Sequence, residues 1–140
     1  MKAVLISALL ACAIALPAQA AGDATAGAQK IKVCLACHAV GPDATEKVGP
    51  ILNGVVGRAA AAEPGFGNYS APMRVAAANG LVWTPDKLML YLEKPRNLVP
   101  GTNMTFYGLK PDDAANVIAY LETISPDYSP NPPPPAPPPQ

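Results

Sequence analysis

The segment VCLACHAV, residues 33–40, carries two cysteines and the only histidine of the chain within five positions. Three chemistries use cysteines this close together, and each demands a different surrounding fold. A structural zinc site takes four ligands, usually from two separated pairs. This chain offers no second pair, and the adjacent Cys37 and His38 are poorly placed to take two corners of one tetrahedron. A redox dithiol of the thioredoxin type follows a strand and opens a helix within a βαβ unit. Here helix-permitting sequence precedes the motif and a loop containing glycine and proline follows it.

The third chemistry is covalent attachment of a c-type haem. Cys34 and Cys37 supply thioethers to two porphyrin vinyl groups, and the next residue, His38, ligates the iron. Two intervening residues let a single turn of backbone present both sulfurs while the histidine comes beneath the metal. The lone histidine excludes a bis-histidine haem, and the single motif attaches one haem. The sixth iron position is left to methionine, to lysine, to a weak ligand, or open. Met89 lies in the helical stretch LMLYLE, Met73 in a loop or at a short helix start, and Met104 in the constrained loop after VPGTN. Spacing alone favours Met104 only modestly, since core packing explains each of the others.

Residues 1–20 read as an export signal: Lys2, the apolar run AVLISALLACAIAL, Pro17, and the cleavage site Ala18-Gln19-Ala20. A competing reading takes LLAC, ending at Cys12, as a lipid-attachment site, but the apolar AIAL behind it continues the hydrophobic region. Cleavage near Ala20 discards Cys12 and leaves Cys34 and Cys37 in an oxidising compartment, where thiols rarely stay free. The expected location is the periplasm. The chain holds 10 Lys and Arg against 10 Asp and Glu, a balance that gives no nucleic-acid footprint.

Residues 21–124 read as one small, all-α body. In LKPDDAANVIAYLETIS, Pro111 suits a first helical position, Asp112 and Asp113 favour the positive helix end, and Ala114, Val117, Ile118, Leu121 and Ile124 share a face. In TPDKLMLYLEKP, Thr84 caps, Leu88, Tyr91 and Leu92 form a stripe, and Pro95 stops the helix. GDATAGAQKIKVC places Ala24, Ala28, Ile31 and Leu35 along one side, and PMRVAAANG reads as a short helix closed by Gly80. Long glycine- and proline-rich loops between so few helices imply a core completed by something other than side chains. Residues 125–140, SPDYSPNPPPPAPPPQ, read as a disordered tail, a solvated polyproline II spacer.

The order of motifs resembles the class I cytochromes c, the mitochondrial-type and related soluble bacterial members. CLACHAV is similar to their attachment site, VGPILNGVVGR to the loop beyond it, and NGLVW to their tryptophan segment. LMLYLEKP, PGTNMTF and NVIAYLE are similar to the helix before the ligand loop, that loop, and the terminal helix. The resemblance implies an all-α fold of helices and long loops around one haem c, with Met104 as sixth ligand to a His38-bound iron. It implies that the Pro50 carbonyl holds His38, that Tyr91 bonds the Met104 sulfur, and that Arg58, Tyr69, Trp83 and Thr102 hold the haem propionates. Departures from the pattern are one residue fewer between Gly27 and Cys34, Ile31 at an aromatic position, one residue more in GFGNYS, and the proline tail.

A one-electron carrier, not an enzyme, is the implied function. It would work between a quinol-oxidising complex or periplasmic dehydrogenase and a terminal oxidase or photosynthetic reaction centre. It would dock as a monomer through a haem edge carrying Lys32, Lys47, Arg96 and Lys110, without a small-molecule substrate or nucleic acid. Asn103 replaces a lysine of the family's docking ring. Two rivals are a haem enzyme or gas-binding protein with a labile sixth ligand, and a permanently docked subunit of a larger complex.

Overall fold

The computed structural model describes residues 22–129. The expected export signal, Cys12 and most of the proline tail lie outside them. The elements are α1 (Ala24–Lys30), a 3-10 turn (Ile31–Val33), α2 (Ala71–Ala78), α3 (Pro85–Glu93), α4 (Pro95–Leu98) and α5 (Pro111–Thr123). The β pairing among the described residues is one antiparallel bridge between Ala59 and Val82, so the fold is all-α. None of the described helices is long and apolar enough to cross a membrane.

Local chemistry explains most helix starts. Asp23 caps α1 by accepting from the amides of Thr25 at 2.7 Å and Ala26 at 3.1 Å, and Thr84 caps α3 through the Lys87 amide. Ser70 does the same for α2 through Met73, while α5 begins on Pro111 with Asp112 and Asp113 in its first turn.

The scaffold is the crossing of α1 on α5. Gly27 is buried there because the α5 backbone comes so near that a Cβ would overlap the carbonyl oxygen of Asn116. The Asn116 side chain accepts from the Asp23 amide at 2.7 Å, and Lys30 pairs with Asp113 at 3.0 Å. Ile31, in the place expected of an aromatic, is 3% exposed and joins Ala114, Val117, Ile118 and Leu121 in the core. Of the other residues expected along that side, Ala24 and Ala28 on α1 and Leu35 beyond the 3-10 turn are half-buried.

The segment 34–70 contains no helix and is tied down by backbone. Gly54 donates to the Ile124 carbonyl at 2.8 Å, Gly57 to Trp83 at 2.9 Å and Ala60 to Leu81 at 2.8 Å, while Val55, Val56 and Ala60 enter the core. Two further expectations change. Pro95 ends α3 but also opens α4, since a proline suits the first turn as well as it breaks the last. The tail boundary after Ile124 falls inside packed structure. Ser125 is buried, donating to the Leu121 carbonyl at 2.8 Å and accepting from the Val56 amide at 3.1 Å, and Tyr128 packs against the core beside Gly57.

Candidate haem-binding site

The 3-10 turn delivers the chain into the Cys34–His38 segment without leaving helical geometry. Cys34 donates to the Ile31 carbonyl at 2.8 Å; Cys37 and His38 both return to the Cys34 carbonyl, at 3.1 and 2.9 Å. One closed turn therefore carries both sulfurs and the imidazole. Cys34 is half-buried and Cys37 exposed. Burial, with Cys37 alongside, pushes the Cys34 thiol up to about 11, which disfavours a thiolate. A thioether cannot ionise, so attachment removes that penalty.

The imidazole is held from one side. His38 Nδ1 lies 2.6 Å from the Pro50 carbonyl oxygen, so Nδ1 must carry the proton and the lone pair falls on Nε2. Burial pushes His38 below its ordinary value, opposed by the Pro50 carbonyl and the Glu46 carboxylate, so the neutral, ligating form is favoured. Gly49 lies directly against the ring, where any Cβ would overlap it, and its amide donates to the Cys37 carbonyl at 2.8 Å. Sequence reasoning missed Gly49. The only local signal was its place before Pro50.

The methionines separate by environment. Met73 is 6% exposed within the core, and Met89 is half-buried on α3. Met104 is half-buried in the loop between α4 and α5, its amide donating to Thr102 Oγ1 at 3.3 Å. The Thr102 hydroxyl also lies 2.9 Å from the Tyr91 hydroxyl. This pair brings together the residue expected at the Met104 sulfur and one expected at a propionate, and each hydroxyl retains capacity for a second partner. Trp83 packs on Tyr91 with ring centroids 4.8 Å apart.

The other residues expected around the propionates form a second group. Arg58 pairs with Glu63 and donates to the carbonyls of Asn53 at 3.2 Å and Ile51 at 3.1 Å. Tyr69 accepts from the Glu63 amide at 3.2 Å. Glu63, which sequence reasoning did not single out, partly neutralises Arg58, although a guanidinium with five N–H donors retains capacity for an anion.

Around the attachment turn the surface is mixed. Lys47 donates to the Leu35 carbonyl at 2.8 Å and Lys32 to Gln29 at 2.7 Å; the other two expected docking cations, Arg96 on α4 and Lys110 at the start of α5, are exposed. Val33 is 51% and Val48 79% exposed. These apolar neighbours of the lysines were also missed.

The donor set fits a haem. Two unpaired cysteines stand on one turn, an imidazole is oriented with Nε2 free of the Pro50 bond, and a thioether occupies a loop braced by buried hydroxyls. Comparison with known proteins agrees. The family profile described as Cytochrome c matches residues 24–125. A cytochrome c2 of Agrobacterium tumefaciens is 46% identical over 101 residues, covering 71% of this chain and 90% of the relative. One from Rhodomicrobium vannielii is 51% identical over 107 residues, covering 76% and 82%. The solved cytochrome c2 of Rhodospirillum centenum superposes with a TM-score of 0.70 at 38% identity, over 74% of this chain and 99% of that one. A single attachment turn, a fold wrapped by loops and relatives matched along nearly their whole length place the chain in the cytochrome c family, carrying haem c bound through Cys34 and Cys37 for electron transport.

Proposed function

We propose that the chain is an exported one-electron carrier whose iron is held by His38 and Met104. The observation that carries this reading is the 2.6 Å contact of His38 Nδ1 with the Pro50 carbonyl, which fixes the tautomer and aims Nε2 outward. Bound there, the haem would supply one-electron redox chemistry. His38 and Met104 would hold its iron in both oxidation states, which would keep reorganisation on electron transfer small and small ligands away from the metal. A thioether ligand and a dry pocket favour the ferrous state and hence a relatively high potential. Arg58, Tyr69, Trp83 and Thr102 are the residues assigned to the propionates, and Tyr91 is assigned to the Met104 sulfur.

The chain is then a carrier rather than an enzyme. It is exported by residues 1–20, folded from Gly22 to about Tyr128, and followed by a proline spacer. Lys32, Lys47, Arg96 and Lys110 present a redox partner with cations around the attachment edge, where Val33 and Val48 add apolar contact. The donor class is a quinol-oxidising complex or periplasmic dehydrogenase, and the acceptor a terminal oxidase or photosynthetic reaction centre.

Met104→Ala tests the ligand assignment. The haem should stay attached while the ferric methionine-to-iron charge-transfer band disappears, the potential falls and carbon monoxide binds the ferrous protein. Survival of the band, with its loss in Met73→Ala instead, would refute the assignment.

A further inference from the structure

Glu46 stands eight residues beyond His38 in the loop after the attachment turn, and neither its position nor its spacing marks it as part of the site. Its Oε2 accepts from the Ile51 amide at 3.0 Å. The carbonyl of the same peptide unit, that of Pro50, faces His38 Nδ1 at 2.6 Å. Carboxylate, peptide group and imidazole thus lie in one line of hydrogen bonds, with the Pro50–Ile51 peptide as the middle member. The loop 61–69 folds back over the carboxylate: a methyl group built on Gly65 would stand 3.2 Å from Glu46 Oε1. Glu46 is therefore half-sheltered from water, where a charge is screened less than on an open surface.

A hydrogen bond to an anion polarises the group that makes it. Bonds in a chain reinforce one another, because each donor that gives up density becomes a better acceptor at its far end. An amide donating to a carboxylate has a more negative carbonyl oxygen, and that oxygen pulls harder on the Nδ1 proton. The imidazole then moves towards imidazolate and its Nε2 becomes a stronger donor.

We propose that Glu46 is a positioning residue that tunes the iron through His38, acting across the Pro50–Ile51 peptide to stabilise the ferric state and lower the reduction potential. This rests on His38 as an iron ligand. Lys47, adjacent in sequence and directed to the Leu35 carbonyl, opposes the effect electrostatically, so the set point is a balance between neighbouring charges of opposite sign.

The test is Glu46→Gln in the holoprotein, at one pH and one ionic strength. Glutamine keeps a carbonyl oxygen for the Ile51 amide and removes the charge. The ferrous-to-ferric ratio at fixed ambient potential should rise on the order of threefold, about 28 mV at 59 mV per tenfold for one electron. In the ferrous protein the His38 Nδ1–H and Ile51 amide proton resonances should both move upfield. Asp43→Asn, which removes a charge from an exposed position in the same loop, should move neither resonance. An unshifted potential in Glu46→Gln would overturn the proposal, as would a potential shift with both resonances unmoved, which would mean a field effect through space. Failure of His38 as ligand is distinguishable, since the low-spin spectrum would then survive His38→Ala.

Discussion

Thr102→Val replaces the hydroxyl by a methyl group and keeps the shape of the side chain, at a point where one hydrogen bond ties the Met104 loop to Tyr91 on α3 and a second braces the loop internally. Thr102 and Tyr91 are 5% and 6% exposed, so the Tyr91 hydroxyl, 2.9 Å from Thr102 Oγ1, cannot recover a water partner without local opening. Leaving a buried hydroxyl unsatisfied costs about 1–3 kcal/mol. The longer 3.3 Å bond from the Met104 amide joins a half-buried group that water reaches more readily, and adds at most about 0.5 kcal/mol. The expected loss is about 2 kcal/mol, borne by the loop between α4 and α5. The assay is a guanidinium titration of the ferric protein followed by the methionine-to-iron band and by far-ultraviolet circular dichroism. In Thr102→Val the band should disappear at lower denaturant than the helical signal, because a segment with its own small free energy opens first. Coincident midpoints, unchanged from the parent, would show that the hydroxyl pair holds nothing. The same pair contributes to the alkaline limb of stability. Burial raises the Tyr91 hydroxyl above its usual value of 10.0, and the Thr102 bond pulls it partway back. A tyrosine raised in the folded state contributes stability that is complete below about pH 10 and declines as pH climbs towards the folded value; Tyr91→Phe should make that decline shallower, with the raised Tyr69 and Tyr128 hydroxyls accounting for the remainder.

The remaining predictions concern the C-terminus and the docking edge. Truncation after Ser129 should leave the thermal midpoint unchanged, whereas truncation after Ile124 removes buried Ser125 with its two hydrogen bonds and the Tyr128 ring. That second truncation should cost about 2–3 kcal/mol; equal midpoints would show that residues 125–128 contribute nothing. Electron transfer to an acidic partner should slow with rising salt, and Arg96→Glu or Lys110→Glu should lower the association rate more than Lys87→Glu on α3. Equal effects at the three positions would place docking elsewhere.

What could be read in the sequence was what depends on neighbours along the chain. The attachment turn needs only two intervening residues and an adjacent histidine. The starts of α3 and α5 are written in Thr84, Pro85, Pro111 and two aspartates. What escaped depends on where distant backbone returns. Gly27 sits amid alanines that read as equivalent, until the Asn116 carbonyl is seen to leave no room for a methyl group. Gly49, Glu46 and Glu63 act on His38, the Pro50–Ile51 peptide and Arg58 across loops whose path no periodicity encodes. α4 was hidden because Pro95 is a stop signal for one helix and a start for the next. Ser125 and Tyr128 were absorbed into the tail by its proline-rich composition, although a hydroxyl and an aromatic ring are what a chain end needs to be held.

The two kinds of contact divide the molecule by function as well as by legibility. The α1–α5 crossing closes on itself through Gly27, Ile31, Val117 and the Lys30–Asp113 pair, and the Ser125 strap fastens segment 53–57 to the end of α5. Cys34 on the attachment turn and Leu52, Tyr69 and Met104 on the loops are only partly buried against that core. Their remaining surface is apolar or polarisable, and a haem is the partner whose size and chemistry complete it. The scaffold therefore sets global stability, and the haem-facing loops have a separate and smaller free energy of their own. That separation is why a deleted hydroxyl at Thr102 should release the sixth ligand before the helices melt, while removal of the strap at Ser125 should lower both transitions together.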